Sequence, residues 1–142
     1  MLLLVLSFTL ALSLLASEPI QFSGDQELQW RDAPPTATPG AKMAIMEGNP
    51  RQAGLFTMRL RLEAGTVIKP HWHPRPERVT VLSGRVEVGF GDSIDQEKKG
   101  VKSFGPGGFY VNPPDRHHYV VFPEKSVIQI TGEGPWEVDY VQ

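Results

Sequence analysis

The chain has no cysteine at all. That excludes a disulfide framework, a thiolate metal site, a cysteine nucleophile and an acylated cysteine anchor, so the fold must be held by packing and any metal by nitrogen and oxygen. Blocks of basic residues are also missing. Lys and Arg number 14 against 16 Asp and Glu, for a net charge of −2, and no run is long enough to track a phosphate backbone, which argues against a nucleic-acid partner. No stretch after residue 17 sustains a 3.6-residue apolar period over three turns, so a helical fold is not expected. The glycines of "GFGD" (89–92) have a hairpin's spacing but no helix pattern after them. They do not make a phosphate loop, and there is no nucleophile elbow. No repeat of fixed period is present.

What is there fits one domain: 142 residues, of which 40% are apolar. The opening run "MLLLVLSFTLALSLLAS" (1–17) has no charged side chain and ends in small residues before Glu18 and Pro19. It reads as a secretory signal peptide, and the chain as exported to the periplasm or beyond. An uncleaved membrane anchor is the rival reading, since about 20 apolar residues span a bilayer; a buried core helix is the third. Residues 18–49 are irregular, and "APPTATPG" (33–40) is too rich in proline for a helix or a central strand, so this part reads as an extended arm.

From residue 50 to 142 the pattern is one of short alternating runs between Gly and Pro. Phe56, Met58, Leu60 and Leu62 share one face of a strand whose other face carries Thr57, Arg59 and Arg61. Val79 and Val81 share a face with Glu77, a turn follows at "SGR" (83–85), and Val86, Val88 and Phe90 lie on the next strand. "HYVVF" (118–122) and "SVIQI" (126–130) make two more, while "DSIDQEKKG" (92–100) reads as a solvated loop. The class is all-β, a two-sheet sandwich or barrel.

All four histidines fall in two clusters, His71 with His73 and His117 with His118. On an extended chain His71 and His73 point the same way, and Pro74 and Pro76 then turn the chain before Glu77. His117 and His118 point oppositely, and His118 shares the face of Val120 and Phe122. Three imidazoles and a carboxylate, His71, His73, His118 and Glu77, suit one divalent transition metal: Fe, Mn, Ni, Cu, Co or Zn. Four protein ligands leave an octahedral ion two open positions and a tetrahedral ion none.

"GTVIKPHWHPRPERVTVLSG" (65–84) resembles the first cupin motif, G(x)5HxH(x)3,4E(x)6G, at Gly65, His71, His73, Glu77 and Gly84. "GGFYVNPPDRHHYVVF" (107–122) resembles the second, G(x)5PxG(x)2H(x)3N, at Gly107, Pro113 and His118, with Asp115 in place of the usual glycine and Phe122 in place of asparagine. The resemblance implies a small jelly-roll-like double-sheet barrel with the metal inside, on His71, His73, Glu77 and His118. It also suggests a homodimer, since cupins commonly pair through sheet edges and arms.

Inward-facing Phe56, Met58, Val81 and Phe122 are expected to shape a pocket for a small-molecule ligand. His117 reads as exterior or as an outer support of the site, and Trp72 as a packing or subunit-contact residue or a stacking platform. Lys69, Arg75 and Arg116 read as loop charges or as attractors of an anion. Two functions remain: a metal-dependent enzyme of dioxygenase type on a small oxygen-rich substrate, or a non-catalytic ligand-binding or sensing module. A metal-free barrel would require the four ligands to be apart in space.

Overall fold

A computed structural model of the chain describes residues 17–142. The signal-peptide or anchor reading of residues 1–17 therefore falls, apart from Ser17, outside the described residues. Among those described, no helix is long and apolar enough to cross a membrane.

After one 3-10 turn at Asp25–Glu27, eleven strands follow. They are β1 (Arg31–Asp32), β2 (Lys42–Glu47), β3 (Gly54–Leu62), β4 (Thr66–Trp72), β5 (Glu77–Ser83), β6 (Val86–Phe90), β7 (Lys102–Phe104), β8 (Phe109–Asn112), β9 (His118–Phe122), β10 (Ser126–Gly134) and β11 (Asp139–Tyr140). They form two sheets, β1-β2-β3-β10-β5-β8 and β11-β4-β9-β6-β7, with antiparallel pairing throughout. The expected all-β double sheet is what the chain forms.

Alternation builds the core. Phe56, Met58, Leu60 and Leu62 of β3, Val79 and Val81 of β5, and Ile128 and Ile130 of β10 meet Ile68, Val86, Val88, Val120 and Phe122 of the other sheet. Burial of this apolar surface supplies the main drive to fold in a chain without cross-links, at roughly 25 cal/mol per Å² removed from water.

Three features of the sheets bear on the site. Pro74 and Pro76 lie between β4 and β5, where the chain leaves one sheet for the other and needs no ladder donors. In the pairing of β4 with β9 the register shifts between Ile68 and His71. Ile68 and His71 are both buried although three positions apart, so this bulge around Lys69 and Pro70 resets the alternation and turns His71 inward. Asp115 adopts φ +59°, the left-handed conformation that glycine usually takes and Asp tolerates. Its backbone N–H then donates to the His73 carbonyl over 2.9 Å, tying the turn before β9 to the end of β4.

The segment 18–49, read from its prolines as an arm, contributes β1 and β2 to the first sheet, and Ala41, Met43 and Ala44 are buried. Its register against β3 shifts between Ile45 and Glu47, which is why no clean period of two shows in the sequence. The loop 92–100 is tied to the sheet at several points: Tyr119, on the outer face of β9 and almost wholly buried, accepts the Asp95 N–H over 2.9 Å, Asp92 meets His117, and Lys98 reaches Glu87 over 2.7 Å.

Gly84, between β5 and β6, has φ +76°, and a Cβ there would collide with the Lys125 carbonyl and Ser126. Gly84→Ala is expected to cost at least about 1–2 kcal/mol from the backbone conformation alone, with the collision added. A urea midpoint unchanged from the parent protein would refute that.

Candidate metal centre

His71, on β4, and His118, at the start of β9, are directly opposed across the strand pair, with ring centroids 4.2 Å apart. His73 follows β4, its ring 5.1 Å from that of His71 and 5.3 Å from that of His118. All three are buried, and each offers a nitrogen within 4.8 Å of those of the other two. The HxH spacing brings the first pair together, and sheet register delivers the third.

Every one of these rings is oriented by a backbone carbonyl. Nδ1 of His71 lies 2.7 Å from the Lys69 oxygen, Nδ1 of His118 lies 2.9 Å from the Arg116 oxygen, and Nδ1 of His73 lies 2.7 Å from the Glu137 oxygen. A carbonyl only accepts, so each Nδ1 carries the proton and donates it. In the neutral ring Nε2 is then left with its lone pair. Nε2 of His118 and of His73 are both buried with no hydrogen-bond partner, a costly state for a polar atom unless something else completes it.

Charge states follow from burial and neighbours. Burial drives the His71 pKa down to about 4, with the adjacent His118 adding to the effect. His118 is also lowered, chiefly by burial. Burial opposes the charge on His73 as well, but the Glu77 carboxylate outweighs it and raises that pKa. In return, and against its own burial, Glu77 is held down to about 2, mainly by His73. Near neutral pH two imidazoles are thus uncharged and the carboxylate is ionised.

Glu77 opens β5 and adjoins the histidine cluster on the His73 side. Its Oε2 lies 2.9 Å from His73 Nε2, yet that nitrogen makes no well-aligned hydrogen bond. Two donor atoms in adjacent positions around an octahedral ion, each at about 2.1 Å, stand about 3.0 Å apart, which is this separation. The same Oε2 accepts the indole N–H of Trp136 over 3.0 Å, and Asn112 reaches Oε1 at 3.5 Å. The donor set and its lone pairs fit a borderline divalent cation bound through three imidazole nitrogens with a carboxylate beside them.

Beside the cluster lies a cavity of about 20 Å³, walled by His71, His73, Glu77, Tyr110, Phe122 and Trp136 among others. That is room for about one water molecule, which needs roughly 10–15 Å³ of such space. Of the residues expected to shape a pocket, Phe122 does line it. Phe56, Met58 and Val81 are fully buried but are not among its walls. Facing inward placed them in the core, and position along the strand, which alternation does not encode, kept them from the cavity. Tyr110 was not anticipated as a wall residue; burial and the nearby Glu77 charge raise its pKa, so it remains a neutral phenol.

A groove of about 1030 Å³ runs outside, between β1–β2 and residues 136–139, and shares Ala37, Trp136 and Val138 with the cavity. His117 is on the outer side, its Nδ1 2.6 Å from Asp92 Oδ1. Trp72 is half-buried on the face opposite its histidine neighbours. Lys69 is exposed, Arg75 donates to the Pro135 carbonyl over 3.1 Å, and Arg116 lies over the Phe90 ring; none of the three lines the cavity.

Fold and site together define a cupin. The family described as the ChrR cupin-like domain matches residues 22–137, and the chain belongs to it. Among solved structures, an RmlC-like cupin from Shewanella frigidimarina is similar at TM-score 0.61 and 20% identity, over 82% of this chain and 91% of that one. KdgF from a Halomonas species gives 0.59 and 23%, over 80% and 94%. A candidate acetylacetone dioxygenase from Methylibium petroleiphilum gives 0.66 and 18%, over 89% and 84%. These likenesses establish the fold. No curated protein matches the sequence.

Because the His71 pKa lies near 4 in the fold against 6.5 ordinarily, the unfolded chain takes up a proton in that interval and the folded one does not. The metal-free protein should therefore lose stability as pH falls from about 6.5 to about 4, by on the order of 3 kcal/mol from this group. In His71→Leu that part of the slope should vanish. Denaturant unfolding across the interval reads it, and equal slopes in the two proteins would refute it.

Proposed function

We propose that the chain binds one divalent transition metal through His71, His73, His118 and Glu77 and presents it to a small oxygen-rich molecule, in a reaction of dioxygenase type. The observation that carries this reading is the shared orientation of the three imidazoles. Carbonyls hold every Nδ1 proton, and buried Nε2 atoms are left without partners beside an ionised carboxylate.

A bound ion would supply Lewis-acid polarisation of an oxygen donor and a meeting point for a co-substrate. The protein's own part is binding and orientation. Neutral His71 and His118 need lose no proton to ligate, and Glu77 brings negative charge. The Tyr110 phenol, kept protonated, can donate a hydrogen bond at the cavity wall, and Phe122 with its apolar neighbours keeps water few. Glu77 is engaged by His73 and Trp136, so it is not a free general base. That leans toward chemistry borne by the ion rather than proton abstraction by a side chain. The outer groove, which shares three walls with the cavity, is the natural approach for a ligand.

The small cavity favours a second reading, a binding or sensing module whose ion anchors a ligand without turnover. The protein called a candidate acetylacetone dioxygenase supports the first reading by likeness of fold only. The leader-like run of residues 1–17 supports an exported location, with membrane attachment if it is retained. A homodimer along β8 is supported by Leu82, Phe109 and Val111, which are 37%, 56% and 40% exposed on or beside the strand that ends the first sheet.

The metal-free protein should take up one Co²⁺ per chain by calorimetry. His118→Ala should weaken uptake by more than the roughly 10–100-fold typical of losing an outer partner of a ligand. Unchanged affinity would end the metal reading. Dioxygen consumption by iron-loaded protein on diketones, phenols or carboxylates is the expected outcome for an enzyme, and tight metal without turnover would select the module. For the dimer, sedimentation should give twice the chain mass, and Phe109→Lys should return it to one.

A further inference from the structure

Among the described residues, the hydrogen bonds that the His73 and Glu77 side chains make outside the two histidine motifs all go to one short segment, residues 135–140. The Glu137 carbonyl accepts the His73 Nδ1 proton over 2.7 Å. The Trp136 indole N–H donates to Glu77 Oε2 over 3.0 Å, and the indole stacks on the His73 ring at 5.7 Å with a 19° tilt. Tyr140 pairs with His71 across β11 and β4, its ring 5.7 Å away.

Trp136 is in turn held firmly. Its backbone N–H donates to the Pro50 carbonyl over 2.6 Å, Phe56 meets its ring edge-on, and Arg75 binds the preceding carbonyl of Pro135. The indole N–H thus has a fixed position. The carboxylate oxygen it holds is also the one 2.9 Å from His73 Nε2.

We propose that Trp136 is a positioning residue of the metal centre: its indole N–H sets the Glu77 carboxylate against His73, and so determines how well that carboxylate can serve a cation. This rests on the metal reading above. An acceptor oxygen bridged between a rigid donor and a ligand loses rotational freedom before the ion arrives, so the ordering cost is met by the fold. Phenylalanine at 136 would keep an aromatic face for His73 while removing the donor and part of the indole's area, and the Glu77→Ala background separates the two effects.

The test is a double-mutant cycle read by Co²⁺ calorimetry on Trp136→Phe, Glu77→Ala and the double variant, with circular dichroism confirming the fold. Trp136→Phe should weaken Co²⁺ binding about 10–100-fold in the parent background and have no further effect once Glu77 is alanine. An equal loss in both backgrounds, or no loss in the first, overturns the role of Trp136 while leaving the metal centre standing. Parent protein that takes up no Co²⁺ overturns the metal reading and this role with it.

A second measurement does not depend on the Phe variant folding. In the parent protein labelled at the indole nitrogen, with signals assigned through Trp30→Phe and Trp72→Phe, the Trp136 indole N–H should exchange slowly with deuterated water. It should exchange fast in Glu77→Ala, and equally fast exchange in the parent would overturn the proposal.

Discussion

Three hydrogen bonds from imidazole Nδ1–H to backbone carbonyls are the constraint on which the centre depends. A histidine ring left free can present either nitrogen and either tautomer, and three such rings would share one geometry only rarely. Here the acceptors belong to the backbone at Lys69, Arg116 and Glu137. Backbone carbonyls do not titrate, and these three lie in β4, just before β9 and just before β11, so the rings are held by the backbone of the strands and of their immediate flanks. The lone pairs left over face one small volume, and burial keeps two of the rings uncharged so that those pairs stay available.

For His71 and His118 the accepting carbonyl lies two residues before the ring, and both residues sit on a paired stretch of β4 and β9. His73 differs. It lies beyond the end of β4, where no ladder fixes it, and its support arrives from the far end of the chain at Glu137 and Trp136. The centre is therefore assembled from two local arrangements of the same kind and one long-range one. The sheet crossing at Pro74 and Pro76 is what requires the third, because it carries His73 out of the strand and starts the other sheet at Glu77.

Much of this was legible beforehand, and the reasons are local. Alternation in β3, β5 and β10 marks the inner faces because a strand's side chains repeat every two residues. The spacing of His71 and His73, and the shared face of His118 with Val120 and Phe122, single out the three imidazoles that the fold draws together, with Glu77 beside His73 and outside that group of three. Other features leave no short-range signal. β2 has a bulge and mixed burial, so the period that would reveal a strand is broken. The bulge before His71 is invisible for the same reason, although counting from Ile68 would have sent that ring outward. Trp136 offers only a large aromatic near a proline, a pattern common to core, interface and site alike.

The amino-acid sequence by itself determined the absence of covalent cross-links, the β class, the inner faces of the strands and the residue types able to hold a cation, because each depends on composition or on spacing within a few residues. Only the tertiary structure decided which carbonyls orient the rings, which inward residues line the cavity and which remain core, and that residues 135–140 buttress the centre. Those depend on register between strands and on contacts between distant parts of the chain, where small shifts in pairing exchange one neighbour for another and sequence distance carries no information.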